Sequence, residues 1–176
     1  MKQLDYVKSD DGTFWMEFAD FCTHFEDLYV CTFFDEPKWH TLEPLVGAWS
    51  KAKNTAGGCT NHATCGDNPQ WAIKVERPTR IVIVLCQEDT RGQPNKPKVT
   101  CGMEVYANGG QRSTQRRLGK EVFSSTYTNL TELMLEGTLQ PSDKAYTLLV
   151  TTFEPNVERR FDVKIFASEA VTVVPL

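Results

Sequence analysis

The sequence lacks the long apolar stretches of a membrane protein and the strong positive charge of a nucleic-acid-binding protein. Its longest clean apolar run, residues 81–86, has six residues, whereas a membrane-spanning helix needs about 20. The N-terminal sequence MKQLDYVKSDDG has no apolar region of a secretory signal peptide. The formal net charge is −4, so nucleic acid is not an expected partner. With 40% hydrophobic and 24% charged residues, the composition predicts a cytoplasmic globular protein.

A regular framework of cysteines is also missing. The six cysteines are spread through a chain without secretion signals, so reduced thiols are expected. Cys59, His62 and Cys65 offer two sulfurs and an imidazole, which zinc favours, but no fourth ligand follows at a usual spacing. We therefore favour a tight glycine-bearing turn with small buried thiols, keep a zinc site as a remote alternative, and predict no metal ligands.

Long acidic runs are absent too, since no such run exceeds two residues. A calcium site needs six to eight oxygen ligands, most of them from converging carboxylates. Direct calcium binding would require acids from distant loops, for example Glu88 and Asp89 with others. No EF-hand pattern occurs in the sequence. We expect no cofactor bound by this chain itself.

The first 36 residues differ in charge from the rest. They contain two basic and nine acidic residues, a net charge of −7, whereas residues 37–176 contain 17 basic and 14 acidic residues, a net charge of +3. Residues 13–16 form a strand candidate, and Phe18, Phe21, Cys22 and Phe25 recur at the spacing of one helical face. Residues 28–33 form a second strand candidate, and Asp-Glu-Pro at 35–37 closes the segment as a turn.

The remainder of the chain has the pattern of an all-β domain. Short runs rich in β-branched and aromatic residues alternate with Gly, Pro, Asn and Asp turns at the regular spacing typical of a sandwich. The four tryptophans, at 15, 39, 49 and 71, are expected to pack in the interior. The candidate strands are 45–49, 71–75, 80–86, 100–106, 121–126, 132–136, 145–153, 161–166 and 170–174.

Several motifs resemble those of the calpain family. D-G-T-F-W-M at 11–16, with the helix that follows, resembles the end of a calpain protease core. G-A-W at 47–49, N-T-A-G-G-C-T-N at 54–61, N-P-Q at 68–70 and T-F-E-P-N at 152–156 resemble motifs of the calpain β-sandwich, domain III. The resemblance implies the protease end at residues 1–36 and an eight-stranded, antiparallel, C2-like sandwich at 37–176.

The resemblance also implies what the chain does not carry. Calpains use a cysteine nucleophile, a histidine base and an orienting asparagine. Their usual contexts, G-D-C-W, G-H-A-Y and R-N-P-W-G, do not occur here. We therefore assign no catalytic residue and expect a regulatory module that positions a calpain-like protease core of the same polypeptide, with calcium acting through that core. The alternative is an adaptor or membrane-binding module of a protein whose protease core is inactive.

Basic residues provide the candidate binding site. Calpain sandwiches carry an acidic loop shortly after N-P-Q, but the corresponding stretch here contains Arg77 and Arg80. A second basic stretch lies on a predicted loop and contains Arg112, Arg116, Arg117 and Lys120. Such cations can attract anionic lipid head groups, at about 1 kcal/mol each, or an acidic protein surface, including the acidic first 36 residues. The alternatives are a peripheral membrane site, a protein-docking site and an ordinary solvated loop.

Overall fold

The computed structural model describes residues 12, 14–28, 33–34, 38–90, 92–93 and 96–176. The chain divides into two units, Met1–Phe33 and Phe34–Leu176. All the strands found among the described residues belong to the second unit.

The first unit contains helix α1, Phe18–His24, as the aromatic periodicity predicted. Its rings stack along one face, with centroids 6.4 Å apart for Phe18 and Phe21 and 4.8 Å apart for Phe21 and Phe25. The strand prediction for 13–16 is wrong for residues 14–16, which are irregular and have no partner strand within the described chain. Thr13, most of the predicted strand at 28–33 and the turn at 35–37 lie outside the described residues. Among the helices of the described chain, none has the length and apolar character needed to cross a bilayer.

The second unit is a sandwich of two five-stranded antiparallel sheets. Sheet A has the order β1-β9-β4-β7, with β2 also paired to β9, and sheet B has the order β10-β3-β8-β5-β6. The strands are β1 His40–Thr41, β2 Leu45–Trp49, β3 Gln70–Val75, β4 Thr79–Gln87, β5 Cys101–Ala107, β6 Lys120–Ser124, β7 Glu132–Leu139, β8 Tyr146–Thr152, β9 Arg159–Ala167 and β10 Val171–Pro175.

The predicted sandwich is confirmed, and each of the nine strand candidates overlaps an observed strand. The described chain has ten strands, however, where the family resemblance implied eight. The strand that the sequence did not predict is β1, which has two residues paired to Ala167 and Phe166 of β9. Two residues are too short to show the alternation on which strand prediction depends.

The hydrophobic core lies between the two sheets and explains the G-A-W motif. The Trp49 ring packs on Phe161 with centroids 4.3 Å apart, and its indole Nε1 donates a hydrogen bond of 3.0 Å to the Val150 carbonyl oxygen. A Cβ atom at Gly47 would lie 2.4 Å from the Phe161 ring, so a larger residue there would displace it. Trp49 and Trp71 are buried as predicted, whereas Trp39 is half-buried and Trp15 is exposed, which contradicts the prediction for Trp15.

The outer faces of the two sheets differ in what covers them. Side chains on the outer face of sheet B are buried, because the segments 54–69, 108–118 and 125–131 pack over them. These residues are Gln70, Ala72, Glu104, Tyr106, Thr147, Leu149 and Thr151. On the outer face of sheet A, by contrast, the side chain of Met134 is 56% exposed and that of Lys164 is exposed. The candidate basic loop belongs to the cover of sheet B.

Candidate functional site

The basic loop connects β5 to β6 and is held in a defined shape by its own polar groups. Asn108 Nδ2 donates hydrogen bonds to the Gln111 carbonyl oxygen at 2.7 Å and to Ser113 Oγ at 2.8 Å. Thr114 and Arg117 form an isolated antiparallel bridge with backbone hydrogen bonds in both directions. Gly119, at a φ of 92°, closes the loop in a conformation that an L side chain rarely adopts. The loop is therefore an ordered part of the sandwich.

Arg112, the first predicted binding residue, fastens this loop to the rest of the domain. Its guanidinium donates to four backbone carbonyl oxygens: Gly66 at 2.8 Å, Asp67 at 3.1 Å, Asn68 at 2.9 Å and Leu176 at 2.6 Å. A guanidinium has five N–H donors, so these bonds use most of its capacity. Arg112 thus has a structural role that sequence reasoning did not foresee.

Gln70 of the N-P-Q motif holds the same loop from beneath. Its side-chain Nε2 donates to the Ser113 carbonyl oxygen at 2.9 Å and to the Gly66 carbonyl oxygen at 3.1 Å. Its Oε1 accepts the Ser113 backbone N–H at 2.7 Å. Because both residues are buried, losing the glutamine would leave backbone groups without partners.

Arg116, Arg117 and Lys120 are exposed and hold few protein partners. Arg117 Nη1 makes one long hydrogen bond of 3.4 Å to Gln111 Oε1. Arg116 lies beside it in the Thr114–Arg117 turn, and Lys120 begins β6. These three cations remain accessible to an anionic ligand.

Arg77 and Arg80 lie elsewhere and are engaged in ion pairs. Arg77 Nη1 is 3.5 Å from Glu169 Oε2. Arg80 contacts Glu136 Oε1 through Nε at 2.8 Å and Nη2 at 2.7 Å, and its guanidinium carbon lies 5.5 Å from the centre of the Trp39 ring. Arg77 and Arg80 follow the C-terminal end of β3. Arg112, by contrast, is hydrogen-bonded to residues 66–68, which precede the start of β3. Strand β3, about 20 Å long, separates the two groups, so the six predicted cations do not form one site.

The glycine-rich loop before β3 is held together by Asn68. Its side-chain Oδ1 accepts the Gly57 N–H at 3.1 Å, and its Nδ2 donates to the carbonyl oxygens of Gly58 at 2.7 Å and Cys65 at 2.9 Å. A Cβ atom on Gly57 would lie 2.0 Å from the Thr64 carbonyl oxygen, so only glycine fits at that position. The motifs N-T-A-G-G-C-T-N and N-P-Q, to which these glycines and Asn68 belong, therefore have a structural role.

The Cys59, His62 and Cys65 cluster forms a turn with buried thiols. Both sulfur-bearing residues are buried, and burial raises the pKa of the Cys65 thiol above its usual range. The imidazole of His62 points to Glu154, with Nε2 and Oε2 3.9 Å apart. Within the described residues no group of three His, Cys, Asp or Glu side chains is placed to hold a metal ion.

Sequence reasoning missed a buried carboxyl group, that of Glu104 on β5. Tyr127 hydroxyl donates to Glu104 Oε1 at 2.7 Å and lies 2.6 Å from Thr151 Oγ1, while Glu104 Oε2 is buried without a hydrogen-bond partner. Burial raises the pKa of Glu104 to about 6, against the opposing effect of the Tyr127 hydrogen bond. Alternation with Met103 and Val105 places Glu104 on the outer face of the sheet, where sequence alone predicts solvent and not a covering loop.

Comparison with known protein families gives two consecutive matches. Residues 45–166 match the family described as calpain large subunit, domain III, and residues 1–32 match the calpain family cysteine protease. Among curated relatives, mouse calpain-5 is 29% identical over 181 residues, covering 94% of this chain and 28% of its own length. The mouse calpain-2 catalytic subunit is 30% identical over 192 residues, covering 92% of this chain and 27% of its own length.

A plant relative extends the similarity. The Arabidopsis thaliana calpain-type cysteine protease DEK1 is 25% identical over 186 residues, which cover 96% of this chain and 8% of the relative. This chain thus spans less than a third of the length of each of these three relatives.

Proposed function

This chain belongs to the calpain family, and from that premise we propose that it is a non-catalytic module positioning the protease core of its own polypeptide. Residues 1–36 form the C-terminal end of that core and residues 37–176 the sandwich. The parent protein is a cytoplasmic cysteine endopeptidase that cleaves proteins at limited sites, with calcium acting through the core.

The observation that carries this proposal is the anchoring of the junction between the two matched regions. Phe34 lies two residues beyond the matched protease stretch, 1–32. Its ring stacks on Phe166 of β9 with centroids 3.9 Å apart and planes 7° apart. Trp39 meets the Phe34 ring edge-on at 5.1 Å, and β1 then pairs with β9. The first residues of the second unit are therefore fastened to the outer face of sheet A.

Such an anchor supports a positioning role because it shortens the free chain between the two regions. Aromatic pairs contribute about 0.5–1.5 kcal/mol beyond their burial, and Arg80 adds a cation–π contact to Trp39. A core attached through a fastened junction has fewer orientations available than one attached through a flexible linker. The sandwich can then restrain or align the protease lobes.

Helix α1 gives secondary support. No residue of α1 is buried, although its aromatic rings are stacked along one face. An exposed aromatic stripe of this kind fits a helix whose packing partners belong to the remainder of a protease core.

The proposal is tested in the full-length parent protein by replacing both Phe34 and Trp39 with alanine. We expect at least a tenfold loss of kcat/KM on a protein substrate, because the core is no longer held by the sandwich. Leu130→Ala, at an apolar position outside the junction that is 55% exposed, should leave activity unchanged. Urea unfolding of the 176-residue chain checks that the sandwich still folds in the double variant.

Full activity in a folded double variant would contradict a positioning role. A parent protein with no proteolytic activity, and without the Cys, His and Asn set upstream, would support the alternative of an adaptor built on an inactive core.

The exposure of Arg116, Arg117 and Lys120 favours a second candidate function. On this proposal the predicted site, Arg112, Arg116, Arg117 and Lys120 with Arg77 and Arg80, contacts an anionic membrane or an acidic protein surface. Because Arg112, Arg77 and Arg80 already contact protein groups, the three exposed cations of the loop supply most of the attraction.

Sedimentation of the chain with vesicles tests this second candidate. Binding to vesicles with acidic lipid should fall at least tenfold when Arg116, Arg117 and Lys120 are all changed to glutamate. Lys144→Glu, on a separate turn, serves as the charge control. Equal binding by the triple variant and the wild type, with and without calcium, would exclude the basic loop as a membrane site.

A further inference from the structure

A second cationic site lies at the end of the sandwich where β2 finishes and β9 begins. Trp49 of β2 pairs with Arg159 of β9 at this end, beside a cavity of about 370 Å³. The cavity falls in the range of about 300–1,000 Å³ that is usual for small-ligand sites. Its charged lining consists of Lys53, Lys96, Arg159 and Arg160 together with Glu88 and Glu158.

Arg159 is the buried member of this lining, with 8% of its surface exposed. Its Nη2 donates to the Pro97 carbonyl oxygen at 2.7 Å. Its Nε is fully buried and has no hydrogen-bond partner. A buried donor without a partner costs about 1–3 kcal/mol, more when the group is charged. Arg159 also lines the cavity, so its guanidinium places a positive charge beside any ligand with acceptor oxygens that enters there.

The two acidic side chains of the lining are already engaged. Glu158 Oε1 accepts the Lys51 backbone N–H at 3.0 Å, and Glu88 Oε1 lies 3.9 Å from Lys96 Nζ. Four cations against two carboxylates leave the lining with a charge of +2. Lys53 and Arg160 are exposed, so they can move onto an entering anion. A lining charge of +2 attracts a compact dianion more strongly than a monoanion.

We propose that this cavity, lined by Arg159, Lys53 and Arg160, is a binding site for a phosphate group. A phosphate monoester has a charge of about −1.5 to −2 near neutral pH and three strong acceptor oxygens. The fork of guanidinium N–H groups matches those oxygens. The site differs from the basic loop in every residue and goes beyond the positioning function proposed above.

The surroundings also provide room for the group that bears the phosphate. An adjoining hollow of about 460 Å³ shares Ala48, Lys53 and Arg160 with the cavity and continues along Val46 and Trp71. Val46 is 78% exposed, whereas Trp71, which also lines the hollow, is only 7% exposed. A phosphate with an organic substituent would thus place its charge near Arg159 and its substituent against β2.

Titration of the ¹⁵N-labelled chain with inorganic phosphate at constant ionic strength tests the proposal by NMR. The Arg159 Nε–Hε resonance and the backbone amides of Lys53 and Arg160 should shift along one saturable curve. Absence of saturation, or shifts matched by an equal concentration of chloride, would overturn the proposal.

A charge-reversal pair locates the site. Lys53→Glu with Arg160→Glu should weaken phosphate binding at least tenfold, and both residues are exposed, so the fold should persist. Lys144→Glu makes one such charge reversal beyond β7, at the end of the sandwich away from the cavity, and should bind as the wild type does. Equal weakening by Lys144→Glu would show general charge attraction and overturn the assignment.

Vesicles of neutral lipid with and without phosphatidic acid then identify the source of the phosphate. Phosphatidic-acid binding that is lost in the Lys53 and Arg160 double variant supports a lipid head group. Saturable phosphate binding without vesicle binding supports a soluble phosphate compound. A third outcome is vesicle binding that depends on Arg116 and Arg117 alone, together with no saturable phosphate binding. This outcome would exclude the cavity as a phosphate site and leave the basic loop as the membrane site.

Discussion

The outer faces of the two sheets are built from similar antiparallel strands but differ in how far their side chains are exposed to solvent. On sheet B, Leu149 and Thr147 are fully buried beneath the covering loops. On sheet A, Met134 occupies the equivalent outward position of a strand and is 56% exposed. The difference lies in the loops, since segments 50–69 and 108–119 pack across sheet B.

This difference teaches which sequence motifs have structural roles and which surfaces remain for recognition. Asn68, Gln70 and Arg112 use their hydrogen bonds to hold the cover of sheet B. The junction residue Phe34 instead lies on sheet A, stacked on Phe166. The covered face therefore stabilises the domain, and the other face contacts Phe34, the first residue of the second unit.

The largest expected effect comes from placing a lysine on each face. Leu149→Lys should unfold the domain or cost more than about 4 kcal/mol, because an unpaired charge enters a fully buried site. Met134→Lys makes the same chemical change on the exposed face and should shift stability by less than about 0.5 kcal/mol. Urea unfolding followed by tryptophan fluorescence measures both. Similar values for the two variants would abolish the distinction between the faces.

Asn68→Ala is expected to have the next largest effect. It removes three hydrogen bonds in a fully buried position and leaves the Gly57 N–H and the Gly58 carbonyl oxygen unpaired, while the Cys65 carbonyl oxygen keeps the backbone N–H of residue 68 at 3.4 Å. At about 1–3 kcal/mol for each unsatisfied group, the loss should reach about 3 kcal/mol or more. Asn61→Ala, at an exposed position of the same loop, should be nearly neutral by chemical denaturation. A stable Asn68 variant would show that the loop does not depend on this side chain.

A smaller effect is expected from Arg112→Ala. Four hydrogen bonds to carbonyl oxygens are lost, but water can reach part of the vacated site, so we expect a loss of about 2 kcal/mol. Arg116→Ala should change stability by less than about 0.5 kcal/mol. Thermal unfolding compares the two variants. If Arg116→Ala lowered the stability as much as Arg112→Ala, the division between structural and accessible cations would be wrong.

The smallest effect is the pH dependence contributed by Glu104. Its pKa is about 6 in the folded protein and about 4.5 in the unfolded chain, so the folded state binds the proton more tightly. Its contribution to stability is complete below pH 4.5 and is lost as pH rises through 6, by at most about 2 kcal/mol. Glu104→Gln should therefore raise stability at pH 7.5 and have little effect at pH 4.5.

Unfolding free energies of the wild type and Glu104→Gln at both pH values measure this difference, and Glu43→Gln at an exposed position is the control. A variant that destabilises equally at both pH values would indicate that the Glu104 carboxyl is not desolvated in the folded protein.

Most of the fold could be predicted from the sequence, because strands with one buried face leave an alternating pattern. The strand at 45–49 was predicted with the bounds of β2, and the aromatic spacing located α1. The two residues of β1 give no such pattern and were missed. Residues 14–16 have the composition of a strand, but a strand also needs a partner, and composition does not provide that information.

Less of the candidate site could be predicted, because a count of charges does not reveal what each charge contacts. Arg112, Arg116 and Arg117 look alike in the sequence, yet Arg112 is bound to four carbonyl oxygens. The buried guanidinium of Arg159 occurs in an ordinary strand pattern, and its neighbours Lys53 and Lys96 are distant in sequence. Such groups become visible only when the loops are folded over the sheets.

Hydrogen exchange of backbone amides most directly tests the claim that the motif-bearing loops form an integral cover of sheet B. The amides of Gly57, Cys59 and Ser113 donate hydrogen bonds within or beneath that cover. The account predicts that they exchange as slowly as the core amide of Ile83, in the central strand β4 of the other sheet, through global unfolding. Exchange as fast as that of the exposed turn residue Asp143 would contradict it.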